Sequence, residues 1–432
     1  MATNKTDKVL NVPTKREQSG ASSGSAERAA LRPQGNVPTL RFPGFTEEWQ
    51  KKRLKDFVVR VNRKNKNLET ILPLTISAQF GLVDQASFFN KIVASTNLSK
   101  YYLLYKGEFA YNKSYSSDYP WGAIKRLDNY DMGALSTLYF CFCPNPEVNS
   151  DFLTHYFESS KWYSGVSEIA GEGARNHGLL NMSVSDYFNT THFMPVDVDE
   201  QEKIARFLNL IIERIALQKK LIEDLKKLKS AIVESMLQQE TESTVILSSL
   251  GRFIRGVTYS TEDITDGDGT LVMRATNITT GSPLNFKSDV VTISKRVSKE
   301  QLIATNDIVI CLANGSSALI GKNSVYDGGC LSSLTIGAFC GAFRPNHSFV
   351  KWLLQTSQYR TNVARSIQGG NGAIANLSPS DILTMKFALP NNDVLNMYDN
   401  LLNKIDDKLV TETKLLDDIL SQKCYLLSAM FI

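Results

Sequence analysis

Between Glu200 and Gln239 the chain has no glycine or proline and places a seam at alternating intervals of three and four: Leu208, Ile211, Ile215, Gln218, Ile222, Leu225, Lys229, Ile232 and Met236. That period belongs to a long helix burying one face. A shift of 194 residues reproduces the seam at Leu402, Ile405, Leu409, Glu412, Leu416, Ile419, Lys423, Leu426 and Met430, with polar interruptions at the same two steps. Two such helices are best explained by packing on each other, along a seam roughly 42 Å long at about 1.5 Å per residue. Only Glu240 to Val245 separate the far end of the first helix from the second domain, so the second helix must run back, giving an antiparallel pair and an approximate two-fold repeat. This reading places Lys229 near Glu412 and Gln218 near Lys423.

The repeat extends beyond the helices. Leu54-x-x-Phe57-Val58 is matched by Leu250-x-x-Phe253-Ile254, and Asn181-Met182-Ser183-Val184-Ser185-Asp186 by Asn376-Leu377-Ser378-Pro379-Ser380-Asp381. Ahead of each helix, short apolar and alternating runs predict strands at Leu72–Ser77, Phe109–Asn112, Leu135–Cys143, Leu271–Thr276, Asp307–Leu312 and Ser333–Phe343. Helices are predicted at Asp151–Tyr163 and Ser348–Val363, each after a Pro-Asn turn. The expected architecture is α+β: a disordered tail over 1–36, a mixed α/β domain over 37–198, a long helix over 199–240, a second mixed domain over 245–392 and a second long helix over 394–431.

Composition narrows the function. Hydrophobic residues make up 42% and charged residues 21% of 432, and no apolar run reaches membrane-spanning length, so the chain is expected in the cytoplasm. Six cysteines without a C-x-x-C pair suggest reduced, mostly buried thiols. A net charge of +4 barely argues for nucleic acid. Catalytic signatures fail on inspection: Pro144-Asn145-Pro146-Glu147 is a turn, and Gly315 to Asn323 has the wrong spacing and the wrong last residue for a phosphate-cradling loop. His155, His177, His192 and His347 lack metal-ligand spacing. No catalytic residue, bound cofactor or metal site is expected.

Pro38-Thr39-Leu40-Arg41-Phe42-Pro43-Gly44-Phe45 with Glu48-Trp49, and the run Glu200-Gln201-Glu202-Lys203-Ile204-Ala205-Arg206-Phe207-Leu208, resemble the opening and the first spacer helix of type I restriction enzyme specificity subunits. The second copy departs from that pattern, reading Val394-Leu395 where the first has Glu200-Gln201, and its contact with a partner is expected to differ. The resemblance implies a non-catalytic DNA-reading chain. Two methyltransferase subunits using S-adenosylmethionine, and two motor-nuclease subunits using ATP and Mg2+, would supply the chemistry.

Each mixed domain would then be a target-recognition domain reading one half of a split double-stranded target. Glycine-bearing loops with Arg, Lys or Asn suit that task. The candidates are Lys113, Ser114, Tyr115, Gly173, Arg175 and Asn176 in the first domain, and Arg274, Asn277, Asn314, Ser316, Gly370 and Asn371 in the second. Lys51-Lys52-Arg53-Leu54-Lys55, with Arg60, Arg63, Lys64 and Lys66, is a candidate phosphate patch. The competing reading is a structural adaptor whose duplicated domains bind proteins or glycans and not DNA.

Overall fold

In the computed structural model, which describes residues 35–90, 94–95, 97–170, 178–367 and 375–432, the chain forms two units. The first runs to Ala205 and includes Leu426–Ile432; the second is Arg206–Tyr425. Of the tail expected over 1–36, residues 1–34 lie outside the described residues.

In the first unit Val58–Val61, Phe140–Pro144, Phe109–Asn112 and Ala123–Arg126 make an antiparallel sheet in that order. A second sheet holds Gly81–Asp84, Pro73–Ser77, Met132–Leu135 and Tyr102–Tyr105, with the middle two parallel. Side-chain alternation along the strands sorts residues to the two faces of the first sheet. Ala110 and Cys141 join Leu74, Leu104 and Leu135 in one core. From the other face Phe109 stacks on Phe142 at 5.4 Å, and Tyr111 on Tyr187 at 4.7 Å.

The second unit repeats this design. Gly251–Arg255, Cys340–Pro345, Ile308–Cys311 and Asn323–Val325 form the antiparallel sheet in the same topological order. Thr270–Met273 pairs parallel with Leu334–Ile336 and antiparallel with Val291–Ile293. Ile308, Ile310 and Phe343 enter the core that also holds Trp352, Tyr359 and Leu402, whereas Val309, Cys311 and Ala342 enter the core around Met273 and Ile336.

Two expected strands are each split. Leu135–Cys143 becomes Met132–Leu135 and Phe140–Pro144, and Ser333–Phe343 becomes Leu334–Ile336 and Cys340–Pro345. In both cases the chain leaves one sheet for the other through a tight turn, closed by Tyr139 N–H to Ser136 O (3.3 Å) and by Cys340 N–H to Gly337 O (2.8 Å).

The long helices are Val198–Met236 and Asn392–Ala429, of 39 and 38 residues. They are antiparallel, but their register is not the expected one. Gln218 Nε2 donates to the Glu412 carbonyl and carboxylate, Lys229 pairs with Asp406 at 2.6 Å, and Ser235 meets Tyr398. Gln218 and Glu412 are equivalent positions of the repeat, so the crossing brings a polar residue against its own counterpart. The seam fixes which faces meet but leaves the slide to individual polar pairs. Among the described residues no helix is long and apolar enough to cross a membrane.

The Glu200-Gln201 pair proves to be an internal anchor of the first unit. Arg41 holds the buried Glu200 carboxylate at 2.6 and 2.8 Å, and Gln201 Oε1 accepts from Asn149 N–H at 3.0 Å. In the second unit Asp399 does the equivalent work, accepting from Trp352 Nε1 at 2.7 Å and from Ser348 Oγ. The missing Glu-Gln in the second copy therefore reflects a different internal clasp.

His192 is buried between Tyr156 Oη (2.9 Å from Nδ1) and Thr190 Oγ1 (2.8 Å from Nε2). Burial pushes its pKa down to about 3, so the folded unit keeps the ring neutral. An unfolded histidine titrates near 6.5. As pH falls from about 6.5 towards 3, the unfolded chain gains a proton that the folded unit refuses, and stability is lost by up to about 1.4 kcal/mol per pH unit. Urea titrations at pH 7.5 and 5 are expected to show this loss, and His192→Asn to remove it. An equal loss in the variant would assign the acid sensitivity elsewhere.

Candidate nucleic-acid interface

The strand Phe109–Asn112 ends in an Asx turn, in which Asn112 Oδ1 accepts from Ser114 N–H at 3.0 Å. Lys113 O then accepts from Leu180 N–H (3.0 Å), Tyr115 N–H donates to Gly178 O (2.9 Å), and Ser114 bridges to Leu179. This ties the loop to the segment immediately after residues 171–177. Lys113 Nζ sits 4.9 Å from the Phe140 ring centre, while Ser114 and Tyr115 are exposed. Gly122 closes the loop at φ +80°, where a Cβ would lie 2.1 Å from the Asn112 carbonyl oxygen; only glycine fits.

The second unit builds the same device. Asn314 Oδ1 accepts from Ser316 N–H at 3.0 Å, and Ala313–Asn314 pairs with Ala375–Asn376, which immediately follow residues 368–374. Behind this loop the helix Ser357–Ser366 acts as a brace. Tyr359 Oη donates to Gly321 O at 2.8 Å, and Arg360 donates to Ile320 O (3.2 Å) and Ala318 O (3.1 Å). Sequence reasoning missed Arg360, because an arginine on a short polar helix looks like solvated surface.

Arg360→Ala is expected to leave the sheet intact while loosening the loop by about 1–3 kcal/mol, or roughly ten- to hundredfold faster amide exchange over 313–321. Hydrogen-exchange mass spectrometry checks this, with peptides from Ile308–Cys311 as the unchanged reference. Unchanged exchange over 313–321 would remove Arg360 from the brace.

No family model matches the chain. The specificity subunit of the type I restriction enzyme StySPI from Salmonella potsdam is 29% identical over 176 residues, covering 38% of this chain and 37% of that protein. The EcoKI specificity subunit from Escherichia coli K12 is 29% identical over 172 residues, covering 37% and 36%. The aligned stretch thus spans little more than a third of the curated relatives' length. Solved structures match far more of the chain. A structure of the type I R-M system, solved for its complex assembly and conformational transition, superposes with a TM-score of 0.54 at 15% identity, covering 89% of this chain and 97% of that one. The S subunit from M. genitalium gives 0.52 at 14% identity, covering 92% and 99%.

This is the type I specificity-subunit fold.

Within the specificity-subunit fold, the sequence candidates separate into three groups. Lys113, Ser114 and Tyr115, and in the second unit Asn314 and Ser316, lie on the equivalent Asx-turn loops just described. Gly173, Arg175, Asn176, Gly370 and Asn371 lie outside the described residues, although the segments following them are the ones paired with those loops.

The third group is engaged within its own unit. Asn277 is 1% exposed; its Oδ1 accepts from Arg274 N–H (2.8 Å) and its Nδ2 donates to Ser288 O (2.9 Å), so its amide closes a turn. Arg274 is committed to Asp289 through an ion pair and a bond to its carbonyl (2.9 Å). Arg274, Ala275 and Thr276, expected as the end of the Leu271–Thr276 strand, instead follow a strand that stops at Met273 and form with Asn277 a capped 3-10 turn.

The basic stretch also divides. Arg63 pairs with Glu108 at 2.7 Å and lies over the Tyr105 ring, and Lys64 lies over Tyr102. Lys51, Arg53, Lys55, Arg60 and Lys66 are exposed and make no ion pair among the described residues. They remain suited to phosphate. A cleft of about 270 Å³ beside Phe80 holds Lys125 and Arg126, both already paired with Glu158, Asp128 and Asp151. It is a poor anion site. All six cysteines are free, with Cys424 exposed on the second long helix.

Proposed function

We propose that this chain is the DNA-reading subunit of a type I restriction-modification complex, each unit reading one half of a split, asymmetric double-stranded target. The observation that carries the reading is the recurrence in both units of one device: an Asx-turn loop tied to the segment after a glycine-bearing stretch. Such loops offer short polar side chains and backbone amides, which suit base edges and phosphate oxygens. Recognition is this chain's share of the work. Adenine methylation with S-adenosylmethionine belongs to two methyltransferase subunits, and cleavage with ATP and Mg2+ to two motor-nuclease subunits.

The first long helix favours partner docking. Leu210, Leu217, Leu221 and Leu228 are exposed, and steps of seven, four and seven residues align them on one face, turned away from the seam facing the second helix. An exposed leucine stripe of that kind suits a partner helix.

Genome-wide adenine methylation in cells carrying the chain and its cognate methyltransferase tests the reading. A split motif of two short halves around a fixed gap, present only with the chain, is expected; its absence from a formed complex would overturn the proposal. The long helices are proposed to set that gap. A four-residue insertion in both adds about 6 Å, hence about two base pairs at about 3.4 Å each. An unchanged gap in the mapped motif would refute the ruler.

A further inference from the structure

Leu138 and Phe339 are exposed by 68% and 63%, although each leads directly into a buried strand. Each occupies the third position of the turn that joins the two sheets of its unit, in Ser136-Thr137-Leu138-Tyr139 and Gly337-Ala338-Phe339-Cys340. That position ordinarily takes a small or polar residue. The two turns differ at all four positions, yet both place a large apolar side chain at the third. A single exposed leucine needs no explanation. The same exposure at equivalent places in two diverged copies does, because neither fold gains burial from it.

The neighbours of these turns point to an occupant. Phe339 O accepts from Leu312 N–H (2.9 Å) and Ala313 N–H (3.1 Å), the residues leading into Asn314 and Ser316. In the first unit the ladder ends with Tyr111 paired to Phe140, one residue before Asn112 and two after Leu138, and Lys113 Nζ lies 4.9 Å from the Phe140 ring centre. Both turns thus adjoin the Asx-turn loops. Resting on the proposed function, we infer that Leu138 and Phe339 are specificity-determining contacts, each meeting the apolar surface of a base in its own half of the target. Thymine methyls and partly opened base steps are the parts of a duplex that take such side chains. Their different shapes suit different half-sites.

The test uses the full chain with its cognate methyltransferase, carrying Leu138→Asn or Phe339→Asn. Neither residue is buried, so thermal melting is expected to be unchanged. Methylation mapping is expected to show Leu138→Asn weakening or relaxing only the first unit's half of the motif, and Phe339→Asn only the second's. Binding to a duplex bearing the mapped motif should weaken about tenfold or more, with the slope of log Kd against log salt unchanged, since no phosphate contact is lost. Leu138→Met and Phe339→Leu, which keep apolar bulk, should retain most binding. Both halves intact, a reduced salt slope, or loss of methyltransferase co-purification would each overturn the inference; the last would make these turns subunit contacts. A wild-type chain yielding no split motif would instead remove the reading beneath it.

Discussion

Phe431→Ala is expected to destabilise the first unit by about 3–5 kcal/mol, the range for deleting a fully buried aromatic ring. Phe431 is 1% exposed, and its ring meets Trp49 at 6.3 Å, Phe152 at 5.4 Å and Tyr156 at 5.8 Å between centroids. Leu40 N–H donates to Ala429 O at 2.9 Å just before it. The opening segment and the last residues of the chain are therefore one packed assembly inside that unit. A cavity among Trp49, Phe152 and Tyr156 cannot close easily, because those rings are held by further neighbours and the 150–158 helix by its Asn149 cap. Hydrogen exchange should rise across 150–158 in the variant, while the helix Ser357–Ser366 of the other unit keeps its protection. Equal exchange in variant and parent over 150–158 would show that the C-terminal residues are not part of this core.

Sequence reading reached some of this and missed the rest for identifiable reasons. A three-four seam sustained over nine positions, without glycine or proline, marks a helix whatever the tertiary context, and both long helices begin and end within a few residues of expectation. Their antiparallel direction followed from the short connection. The slide did not: Lys229 meets Asp406, not Glu412, because several polar pairs satisfy the same seam and only packed geometry selects among them.

The merged strands failed for a different reason. Ser136-Thr137 and Gly337 mark the turns only briefly, and the apolar Leu138 and Phe339 that follow continue the strand-like pattern, so two strands in different sheets read as one. The site was half legible. Asn112-x-Ser114 and Asn314-x-Ser316 are the same turn at a spacing of 202, visible once aligned, whereas the burial of Asn277 depends on partners more than ten residues away.

A further repeat became visible only in three dimensions, and it sets the second large effect. Gly107 and Asn306 both have positive φ, at +90° and +72°, in turns that lead into the central strands of the two units. The next residue in each, Glu108 or Asp307, turns back to accept from the turn's first backbone N–H, that of Tyr105 (2.8 Å) or Ala304 (2.7 Å). An arginine then neutralises each carboxylate, but from a different strand. Arg63 follows Val58–Val61 in the first unit, whereas Arg344 belongs to Cys340–Pro345 in the second.

Asp307 is the more deeply buried acid, with its side chain 1% exposed, and Arg344 reaches it with two N–H groups at 2.8 and 2.6 Å. Arg344→Met would leave that carboxylate with the Ala304 N–H as its remaining donor of the three, an uncompensated buried charge. The expected cost is about 3–5 kcal/mol. Adding Asp307→Asn removes the stranded charge and should recover part of the loss, a coupling that a double-mutant cycle in urea reads directly. Arg63 is 39% exposed, so Arg63→Met should cost the first unit only about 1 kcal/mol. If the two arginine variants lose equal stability, burial of the carboxylate is not what sets the cost; if the double variant recovers nothing, the penalty comes from Arg344's packing and its bond to Leu302 O, not from the charge it covers.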